Sequence, residues 1–305
     1  NLKTLLAIMN NNSLNNLYND VTVIIITFKS HKIIKKCLDN LDTNLKKIVV
    51  ENSDDREFTK SLEEEYQNLT SINIGYDSGY GFALNRGIEA SKTKYIISMN
   101  PDTFPEKDCI NKIYETIEKN EDTAIVTPIT IRKEKKEFDD YGYFLKGNKK
   151  KKIQNILEVD WVNGNIFILD MKIVKQIGMY DENFFLQWEE RDYQKRIFDL
   201  KKKILIDFDA KSHHLEGQSH DPSLNYVMKC EVSWHHGWSK FYFYNKHHGY
   251  INAIANTYKD LLVYLTKSLI WLLLFNFKKA NIYRMFFLGI INSMLKNKAF
   301  YRAEI

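Results

Sequence analysis

Between residues 21 and 127, short apolar runs alternate with segments whose apolar residues recur at helical spacing. No other feature constrains the fold as strongly. The runs are rich in β-branched residues and lack alternating polar residues, which is typical of strands buried on both faces. Strand, helix and strand in succession imply parallel pairing. The sequence therefore predicts an α/β domain with a mostly parallel central sheet flanked by helices. The apolar runs are Val21 to Thr27, Lys47 to Val50, Ser71 to Ile74, Tyr95 to Met99 and Thr123 to Thr127.

Length, cysteine content and charge narrow the class of protein. A chain of 305 residues suits one large domain, or one domain of roughly 200 to 250 residues with an appendage. Cys37, Cys109 and Cys230 are widely spaced and form no CxxC pair, so neither a disulfide framework nor a cysteine-based zinc site is expected. A reducing cytoplasm fits this pattern best. The formal charge of +5 is modest, and without a repeated basic motif it does not favour nucleic-acid binding.

The chain is predicted to have three segments. Residues 1–20 are predicted to be a flexible leader, because residues 10–19 are rich in Asn and the apolar patch Leu5 to Met9 is too short for a secretory signal. Residues 21–248 are predicted to form the α/β domain. Residues 249–305 contain two apolar stretches with basic ends, and they are predicted to form a C-terminal appendage of amphipathic helices.

The C-terminal segment leaves two interpretations open. Neither Leu261 to Phe277 nor Ile282 to Leu295 reaches the roughly 20 uninterrupted apolar residues of a membrane-spanning helix. Two helices that lie in a membrane interface fit the composition. A helical hairpin packed on the preceding domain fits it equally well.

A single carboxylate, Asp102, follows the apolar run that ends at Met99. Asn100 and Pro101 end this strand, and Asp102 lies in the polar turn that comes next. In open α/β sheets, ligands bind outside the carboxyl ends of the strands, so Asp102 is predicted to face a ligand. A carboxylate there suits a hard divalent cation, Mg²⁺ or Mn²⁺, that also holds phosphate oxygens. The structural alternative is an Asx turn.

Two further polar segments follow predicted strands at the same edge. The second strand ends in the acidic turn Glu51-Asn52-Ser53-Asp54-Asp55. The third strand leads into the glycine-containing segment Gly75 to Ser91, in which Gly79 and Gly81 indicate a bend of the backbone. Asn85 and Arg86 are predicted near the start of the following helix, where an amide and a guanidinium suit a hydroxyl and a diphosphate. A solvated helix face is the alternative.

An acidic helix follows an aromatic cluster later in the chain. Trp188 precedes Glu189, Glu190 and Asp192, and the apolar axis of the helix passes between the two glutamates, so helical periodicity does not choose between them. Asp192 precedes Arg196 by four residues, which favours a helical ion pair. A carboxylate beside aromatic rings is partly desolvated, which raises its pKa and suits a general base.

Seven of the eight histidines lie between His213 and His248. Six of these seven form adjacent pairs, whereas two metal ligands on one helix face need a separation of three or four residues. A histidine-based zinc site is therefore not favoured.

Taken together, these motifs resemble the family 2 glycosyltransferases of GT-A fold, and within them the rhamnosyltransferase-like branch. The likeness spans Val21 to Lys246. It rests on the motifs T-F-K-S, V-E-N-S-D-D, G-Y-G-F-A-L-N-R-G, M-N-P-D-T, G-N-I-F-I-L-D and F-F-L-Q-W-E-E-R-D. The resemblance implies a Rossmann-like, mostly parallel central sheet flanked by helices.

The resemblance also implies roles for individual residues. Asp102 would be the metal-binding acid of a D-x-D-type motif in which Asn100 replaces the first acid, and His214, in an H-x-x-G-x-S turn, would complete the metal or diphosphate site. Glu190 would be the base that activates the acceptor, with Glu189 as its competitor. The implied donor-side residues are Thr27, Glu51, Asn52, Gly79, Asn85, Arg86 and Asn100, and the implied acceptor-side residues are Gly164 and Trp188.

The implied function is inverting, metal-dependent glycosyl transfer. A sugar, rhamnose in this branch, would move from a nucleotide diphosphate donor to a hydroxyl of a surface-glycan or lipid-linked acceptor. A cytoplasmic protein in peripheral contact with the inner face of the membrane would agree with a lipid-linked acceptor. Two alternatives stay open: a nucleotidyltransferase, although T-F-K-S-H-K lacks the glycine-rich motif of that class, and a non-catalytic nucleotide-sugar-binding module.

Overall fold

A computed structural model describes residues 14–132, 141–145, 152–215 and 225–302. The chain divides into two compact units, which are described separately below. Of the described residues, unit 1 comprises those within 1–78, 83–179 and 193–219, and unit 2 comprises those within 79–82, 180–192 and 220–305.

Unit 1 contains a nine-stranded mixed sheet. Its strand order is β3-β2-β1-β4-β10-β6-β11-β5, with β8 paired to β11 beside this path. The first four strands are parallel neighbours, and so are β6 and β11, whereas β10, β5 and β8 run antiparallel to their neighbours. A separate two-stranded sheet pairs β7 with β9. The strands are β1 Val21–Thr27, β2 Lys46–Glu51, β3 Leu69–Asn73, β4 Tyr95–Met99, β5 Thr103–Pro105, β6 Thr123–Arg132, β7 Tyr141–Gly142, β8 Ile156–Val159, β9 Trp161–Val162, β10 Ile166–Asp170 and β11 Lys203–His214.

Helices connect the strands and pack on the sheet. In helix α2, for example, Ile33, Ile34, Cys37 and Leu38 are all buried, as expected for an apolar face at helical spacing. Asp55 caps α3 by accepting a hydrogen bond from Phe58 N. The helices are α1 at residues 14–20, α2 His31–Asp39, α3 Arg56–Glu65, α4 Tyr80–Ala90, α5 Cys109–Lys119, α6 Met171–Ile177, α7 Glu189–Asp199, α8 Asn225–His248, α9 Tyr250–Leu273 and α10 Phe277–Met294.

Order begins before the first strand. The leader predicted for residues 1–20 lies partly outside the described residues, which start at residue 14. The rest of it, residues 14–20, is helical, and Leu17 belongs to the apolar core of unit 1. Tyr18 also donates a hydrogen bond to Asp42 Oδ2 at 2.8 Å. Residues 14–20 of the predicted leader are therefore a helix that packs within unit 1.

The strand β6 continues past Pro128, where the sequence predicts its end. Pro128 has no N–H to donate, and the pairing of β6 with β11 is irregular at this point. Asp207 pairs with Pro128, but the next pair is Lys211 with Ile129, so β11 bulges over three residues. Pairing then resumes and carries β11 to its end at His214.

Unit 2 contains the three long helices α8, α9 and α10. Helix α8 packs closely on α10, because a glycine on each helix lets the other backbone approach: an added Cβ at Gly237 would lie 2.2 Å from Phe286 O, and one at Gly289 would lie 2.0 Å from Trp234 O. Around this crossing, Cys230, Trp234, Trp238 and Met285 form an apolar cluster. Two amphipathic helices are predicted after residue 249 and are present, whereas α8 is not predicted from the sequence. In the described part of the chain, no helix combines the length and apolar character needed to cross a bilayer.

Candidate active site

Asp102 and His214 form a contact pair at the carboxyl edge of the sheet of unit 1. Asp102 lies in the turn between β4 and β5, and His214 is the last residue of β11. The antiparallel pairing of β5 with β11 places Thr103 opposite His214, which brings the two side chains together. His214 Nε2 lies 3.0 Å from Asp102 Oδ1, and Leu215 N donates to Asp102 O at 3.0 Å. Asp102 is buried, so its carboxylate is held in one orientation by the end of β11.

The turn that carries Asp102 is supported by the segment before β10. Asn100 N donates to Asn165 O at 2.9 Å, and Thr103 N donates to Asn100 O at 3.1 Å. The side-chain nitrogen of Asn165 is buried without a hydrogen-bond partner. The sequence predicts a role for Gly164, which lies buried in the same segment, but not for Asn165. The sequence feature that could have indicated Asn165 is its position directly after Gly164 and directly before β10.

The donor atoms of the Asp102–His214 pair suit Mn²⁺ or Mg²⁺ as two of several ligands. A carboxylate oxygen is the preferred ligand of both ions, and Mn²⁺ also accepts an imidazole nitrogen. Among the described residues, no group of three or more His, Cys, Asp and Glu side chains is placed to hold a metal ion. A cation bound here would therefore need oxygens from a phosphate group or water. The second ring nitrogen of His214, Nδ1, is buried without a hydrogen-bond partner. Buried polar atoms normally have such a partner, so we expect a bound ligand or water to supply it.

Cys37 lies close to the same turn but is not a metal ligand candidate. Its Sγ is 3.7 Å from Thr103 O. Burial, together with the negative charge of Asp102, raises the pKa of the thiol far above its usual range. The thiol is therefore neutral, and metal binding by cysteine requires the thiolate.

Glu51 ties the ends of β1 and β2 together. Its side chain is fully buried and accepts hydrogen bonds from Thr27 Oγ1 at 2.7 Å, Lys29 N at 3.1 Å and Ser53 Oγ at 2.6 Å. A buried carboxylate with three donors is well satisfied and rigid. Thr27 and Glu51 thus form one hydrogen-bonded group at the carboxyl edge, beside the strand that leads to Asp102.

Asn52 orders the segment that follows β3. Its side-chain nitrogen donates to Asp77 Oδ1 at 3.1 Å, and its Oδ1 accepts from Ser78 N at 3.0 Å. The side chain is 5% exposed. Asn52 therefore determines the path of the chain at residues 77–78, at the same edge as Glu51.

Asn85 and Arg86 lie in the middle of α4, and the sequence placed them at its start. The helix begins at Tyr80, so both residues come in its second turn. Asn85 is buried, and the Arg86 guanidinium lies 3.2 Å from Glu89. The prediction placed the start of the helix too late, because Gly79, just before the helix, and Gly81, in its first turn, obscure where it begins.

Gly79, in unit 2, is required by a close backbone contact. Its φ is +85°, and an added Cβ would lie 2.3 Å from Phe185 O. The next residue, Tyr80, donates its N–H to the same carbonyl at 2.9 Å. Only glycine fits both the left-handed conformation and the contact. The segment around Phe185 leads directly into the acidic helix.

The backbone before α7 is strained. Gln187 and Trp188 have φ values of +68° and +70°, a conformation that non-glycine residues rarely adopt. Two such residues in succession indicate a local conformation that is imposed by the surrounding structure, and such strain is often found at functional sites. Helix α7 starts immediately afterwards, so the strained pair sets the direction in which Glu189 and Glu190 project.

Glu189 and Glu190 differ in burial, which helical periodicity does not predict. Glu189 is 7% exposed, its Oε2 has no hydrogen-bond partner, and burial raises the pKa of its carboxyl group to about 7. Glu190 is only half-buried. The two glutamates therefore have distinct environments: burial favours the protonated form of Glu189, and Glu190 reaches solvent.

Trp188 lies among aromatic residues of α8. Its ring centroid is 5.2 Å from that of Phe243 and 6.0 Å from that of Tyr244, and the Arg191 guanidinium lies over the ring at 5.3 Å. The aromatic environment predicted for the start of the acidic helix is therefore present.

Asp192 is bound to the end of α8. It is fully buried, with Lys246 Nζ at 2.7 Å and His247 Nε2 at 2.8 Å from its Oδ1. The sequence predicted Arg196 as its partner and did not reveal these two residues. Both partners belong to a basic cluster about 55 positions further along the chain. This cluster can be recognised as the partner of Asp192 only when the position of α8 within unit 2 is known.

Comparisons with solved structures show which known folds this chain resembles. The chain is similar to the mannosyltransferase PcManGT from Pyrobaculum calidifontis in complex with GDP-Man and Mn²⁺, with a TM-score of 0.53 and 10% identity over 91% of this chain and 88% of that one. It is also similar to S. aureus TarS 1-349, with a TM-score of 0.53 and 13% identity over 93% of each chain. At these identities the likeness concerns the fold, and the predicted GT-A fold is confirmed.

Sequence comparison then identifies the family. Residues 22–178, just over half of the chain, match the model described as glycosyl transferase family 2, and the chain belongs to this family. The low-salt glycan biosynthesis hexosyltransferase Agl10 of Haloferax volcanii is 23% identical over 189 residues, which cover 57% of this chain and 60% of that relative. The match thus spans less than two thirds of the relative's length.

Proposed function

We propose that this protein is a hexosyltransferase that moves a sugar from a nucleotide diphosphate donor to a hydroxyl group. The observation that carries the proposal is the Asp102–His214 pair, with 3.0 Å between Nε2 and Oδ1, at the carboxyl edge of an α/β sheet. Ligands of such sheets bind at this edge. The hexosyltransferase name of the Haloferax relative supports the reaction class. The GDP-Man and Mn²⁺ named for the Pyrobaculum structure support the donor type and the cation.

The proposed mechanism assigns one task to each group of residues. Asp102 and His214 hold a divalent cation, Mn²⁺ or Mg²⁺, which neutralises the leaving diphosphate when bound. Thr27, Glu51 and Asn52 form the rigid rim that receives the base and ribose, and Asn100 orients the turn of Asp102. The remaining proposed donor residues are Gly79, Asn85 and Arg86.

Proton removal is assigned to the acidic helix. Glu190 takes the proton of the acceptor hydroxyl as a general base, and its partial exposure leaves it accessible to an acceptor. Glu189 is the second candidate, since a pKa of about 7 also suits a base at neutral pH. Gly164 and Trp188 are proposed on the acceptor side. Direct attack on the anomeric carbon inverts its configuration and needs no covalent intermediate.

The finer features of the proposal come from the resemblance to the rhamnosyltransferase-like branch. They are rhamnose as the sugar, a surface-glycan or lipid-linked acceptor, and a cytoplasmic location at the inner face of the membrane. The donor must then supply an activated sugar, and the nucleotide diphosphate is the second product of the transfer.

The test is glycosyl transfer by Asp102→Asn and Glu190→Gln, measured with a panel of nucleotide sugars and hydroxyl acceptors and with Mn²⁺ present. Loss of a general base lowers turnover by about 100-fold or more, and loss of a cation-binding carboxylate weakens the charge stabilisation of the leaving group. Glu189→Gln, assayed in parallel, decides which glutamate is the base.

Matched controls are Asp108→Asn and Glu182→Gln, which remove exposed carboxylates of the same types. Transfer at wild-type rates by both Asp102→Asn and Glu190→Gln would refute the assignment. Release of pyrophosphate, with attachment of the nucleotide to an acceptor, would instead identify a nucleotidyltransferase. Donor binding without nucleotide release, by an intact wild-type protein, would identify a binding module.

A further inference from the structure

Helix α9 of unit 2 carries an exposed apolar stripe along its length. Six side chains project within about 80° of one another on the helix and define this stripe. Their exposed fractions run from 39% for Leu265 to 81% for Ile251. The helix has 24 residues, which corresponds to a length of about 36 Å. The stripe consists of Ile251, Tyr258, Leu262, Leu265, Leu269 and Leu273.

The apolar surface continues beyond the end of α9. Leu274, Phe275 and Phe277, in the turn to α10, are 62%, 81% and 62% exposed. Continuous exposed apolar surface of this extent is uncommon on a protein surrounded by water, and it marks a contact surface. Two phenylalanine rings at its tip add a large apolar area.

The other face of α9 packs within unit 2. Ala253 and Thr257 are buried, and the Tyr264 ring stacks on Phe286 at 3.7 Å between centroids. Asp260, on the same face, lies 2.6 Å from Lys240 Nζ. The helix is therefore held in place by its packed face, and the stripe is left pointing outward.

The charges around the stripe have one sign. Residues 250–302 contain six lysines and two arginines but one acidic residue, Asp260, which is the partner of Lys240. Lys259 and Lys267 lie on α9 outside the stripe, and Lys278 and Lys279 follow the aromatic tip. An apolar strip bordered by cations has the character of a surface that binds apolar chains beneath anionic head groups.

We propose that the stripe and the aromatic tip bind the surface of a bilayer that contains anionic phospholipids, with α9 lying in the plane of the interface. Leucine and phenylalanine side chains enter the acyl boundary, and the lysines remain at the level of the phosphates. A second copy of the chain fits less well. A symmetric dimer through the stripe would bring the same lysines together without acidic partners.

The test is co-sedimentation of the full chain with vesicles, in the absence of nucleotide. Vesicles of phosphatidylcholine alone are compared with vesicles of equal parts phosphatidylcholine and phosphatidylglycerol. The wild-type protein should bind the anionic vesicles more tightly, and added salt should weaken this binding. Lys278→Gln combined with Lys279→Gln should weaken it by about fivefold for each lysine.

The stripe itself is tested by Leu262→Glu against Asn256→Glu. Both variants add one negative charge to α9, but residue 256 projects about 120° away from residue 262. Only Leu262→Glu removes an apolar side chain that would be buried in the bilayer. This variant should therefore bind the anionic vesicles at least about tenfold more weakly than Asn256→Glu. Unchanged thermal unfolding of both variants shows that the helix still packs.

Three results would overturn the proposal. The first is equal vesicle binding by Leu262→Glu and Asn256→Glu, and the second is no vesicle binding by the wild type. The third is a lipid-free dimer, seen by analytical ultracentrifugation, that Leu262→Glu converts to a monomer, which would assign the stripe to a second copy. Transfer to a water-soluble acceptor is measured separately, and its absence in all proteins that still bind vesicles would count against the proposed function alone.

Discussion

Glu189 carries a carboxyl group whose surroundings oppose ionisation. It is buried at the start of α7, directly after two residues with positive φ, and its Oε2 has no hydrogen-bond partner. The start of a helix favours a negative charge, yet desolvation is the larger effect, and the pKa rises to about 7. A group of this kind lowers the stability of the folded protein when it ionises.

The pH dependence of stability tests this environment. Between pH 4.5 and pH 7, the unfolded chain has lost the Glu189 proton while the folded protein keeps it, so the free energy of unfolding falls as pH rises. Glu189→Gln cannot ionise. We therefore expect the variant to gain about 3 kcal/mol relative to the wild type across this interval, with no further gain above it.

Urea unfolding of both proteins at a series of pH values measures the difference. Glu182→Gln, which removes an exposed carboxylate, corrects for the loss of one charge. A constant difference between Glu189→Gln and the wild type at all pH values would show that Glu189 is not a desolvated acid in solution.

At the scale of elements, two close crossings determine how unit 2 is assembled. The α8–α10 crossing depends on Gly237 and Gly289, each of which faces a main-chain carbonyl of the other helix. Neither glycine is needed for its φ, since both lie within helices. They are needed because there is no space for a methyl group.

Gly289→Ala should therefore destabilise the protein although alanine favours a helix. The added Cβ would lie 2.0 Å from Trp234 O, and since this oxygen belongs to a backbone, the helices must separate. The expected loss is about 2 kcal/mol, because overpacking at the upper end of its usual range, about 3 kcal/mol, exceeds the gain of about 1 kcal/mol in helix propensity. Chemical denaturation of the full chain measures it.

Gly249→Ala is the matched control. Gly249 has a φ of +83°, but no atom lies within 4 Å of an added Cβ. With a ψ of 164°, Gly249 lies in a region that is essentially restricted to glycine, so alanine there costs about 1 to 3 kcal/mol through its backbone alone. A loss for Gly289→Ala below about 1 kcal/mol would mean that α8 and α10 can separate at little cost.

At the scale of the whole molecule, donor binding should stabilise the fold only when the cation is present. A ligand that binds the folded state at a hundred times its dissociation constant raises the free energy of unfolding by about 2.7 kcal/mol, which corresponds to several degrees in melting temperature. We expect such a shift with one of UDP, GDP or dTDP together with Mn²⁺, and the responding nucleotide identifies the donor base.

Two adjacent histidines provide the control for the metal. His214 contacts Asp102, whereas the neighbouring His213 is exposed and lies 3.3 Å from Glu106. His214→Ala should lose most of the Mn²⁺-dependent shift, and His213→Ala should keep it. Equal shifts in the two variants, or full shifts without Mn²⁺, would show that the cation is not held at Asp102.

Much of this architecture is predictable from local pattern. The runs that become β1 and β4 are predicted to the residue, and Asp102, Glu51 and Asn52 are expected at the carboxyl edge for the same reason: buried parallel strands need β-branched apolar residues, and polar residues can follow only where a strand ends. The amphipathic character of the C-terminal helices is likewise a local property.

Other features depend on residues far apart in the chain, and local pattern does not encode them. The partners of Asp192 are 54 to 55 positions away on α8, a helix whose aromatic and basic composition shows no clear apolar face. The exposure of the α9 stripe depends on which face α8 and α10 leave uncovered.

The sequence by itself determined the sheet, the acid at its edge and the presence of two glutamates on one helix. The family resemblance implied that His214 belongs to the site of Asp102, but local pattern did not show it, because their contact depends on the pairing of β5 with β11. Tertiary structure alone decided that Glu189 is buried and Glu190 is not, because burial is set by the residues that pack around a helix. Periodicity gives the direction of a side chain, and only packing determines what that side chain meets.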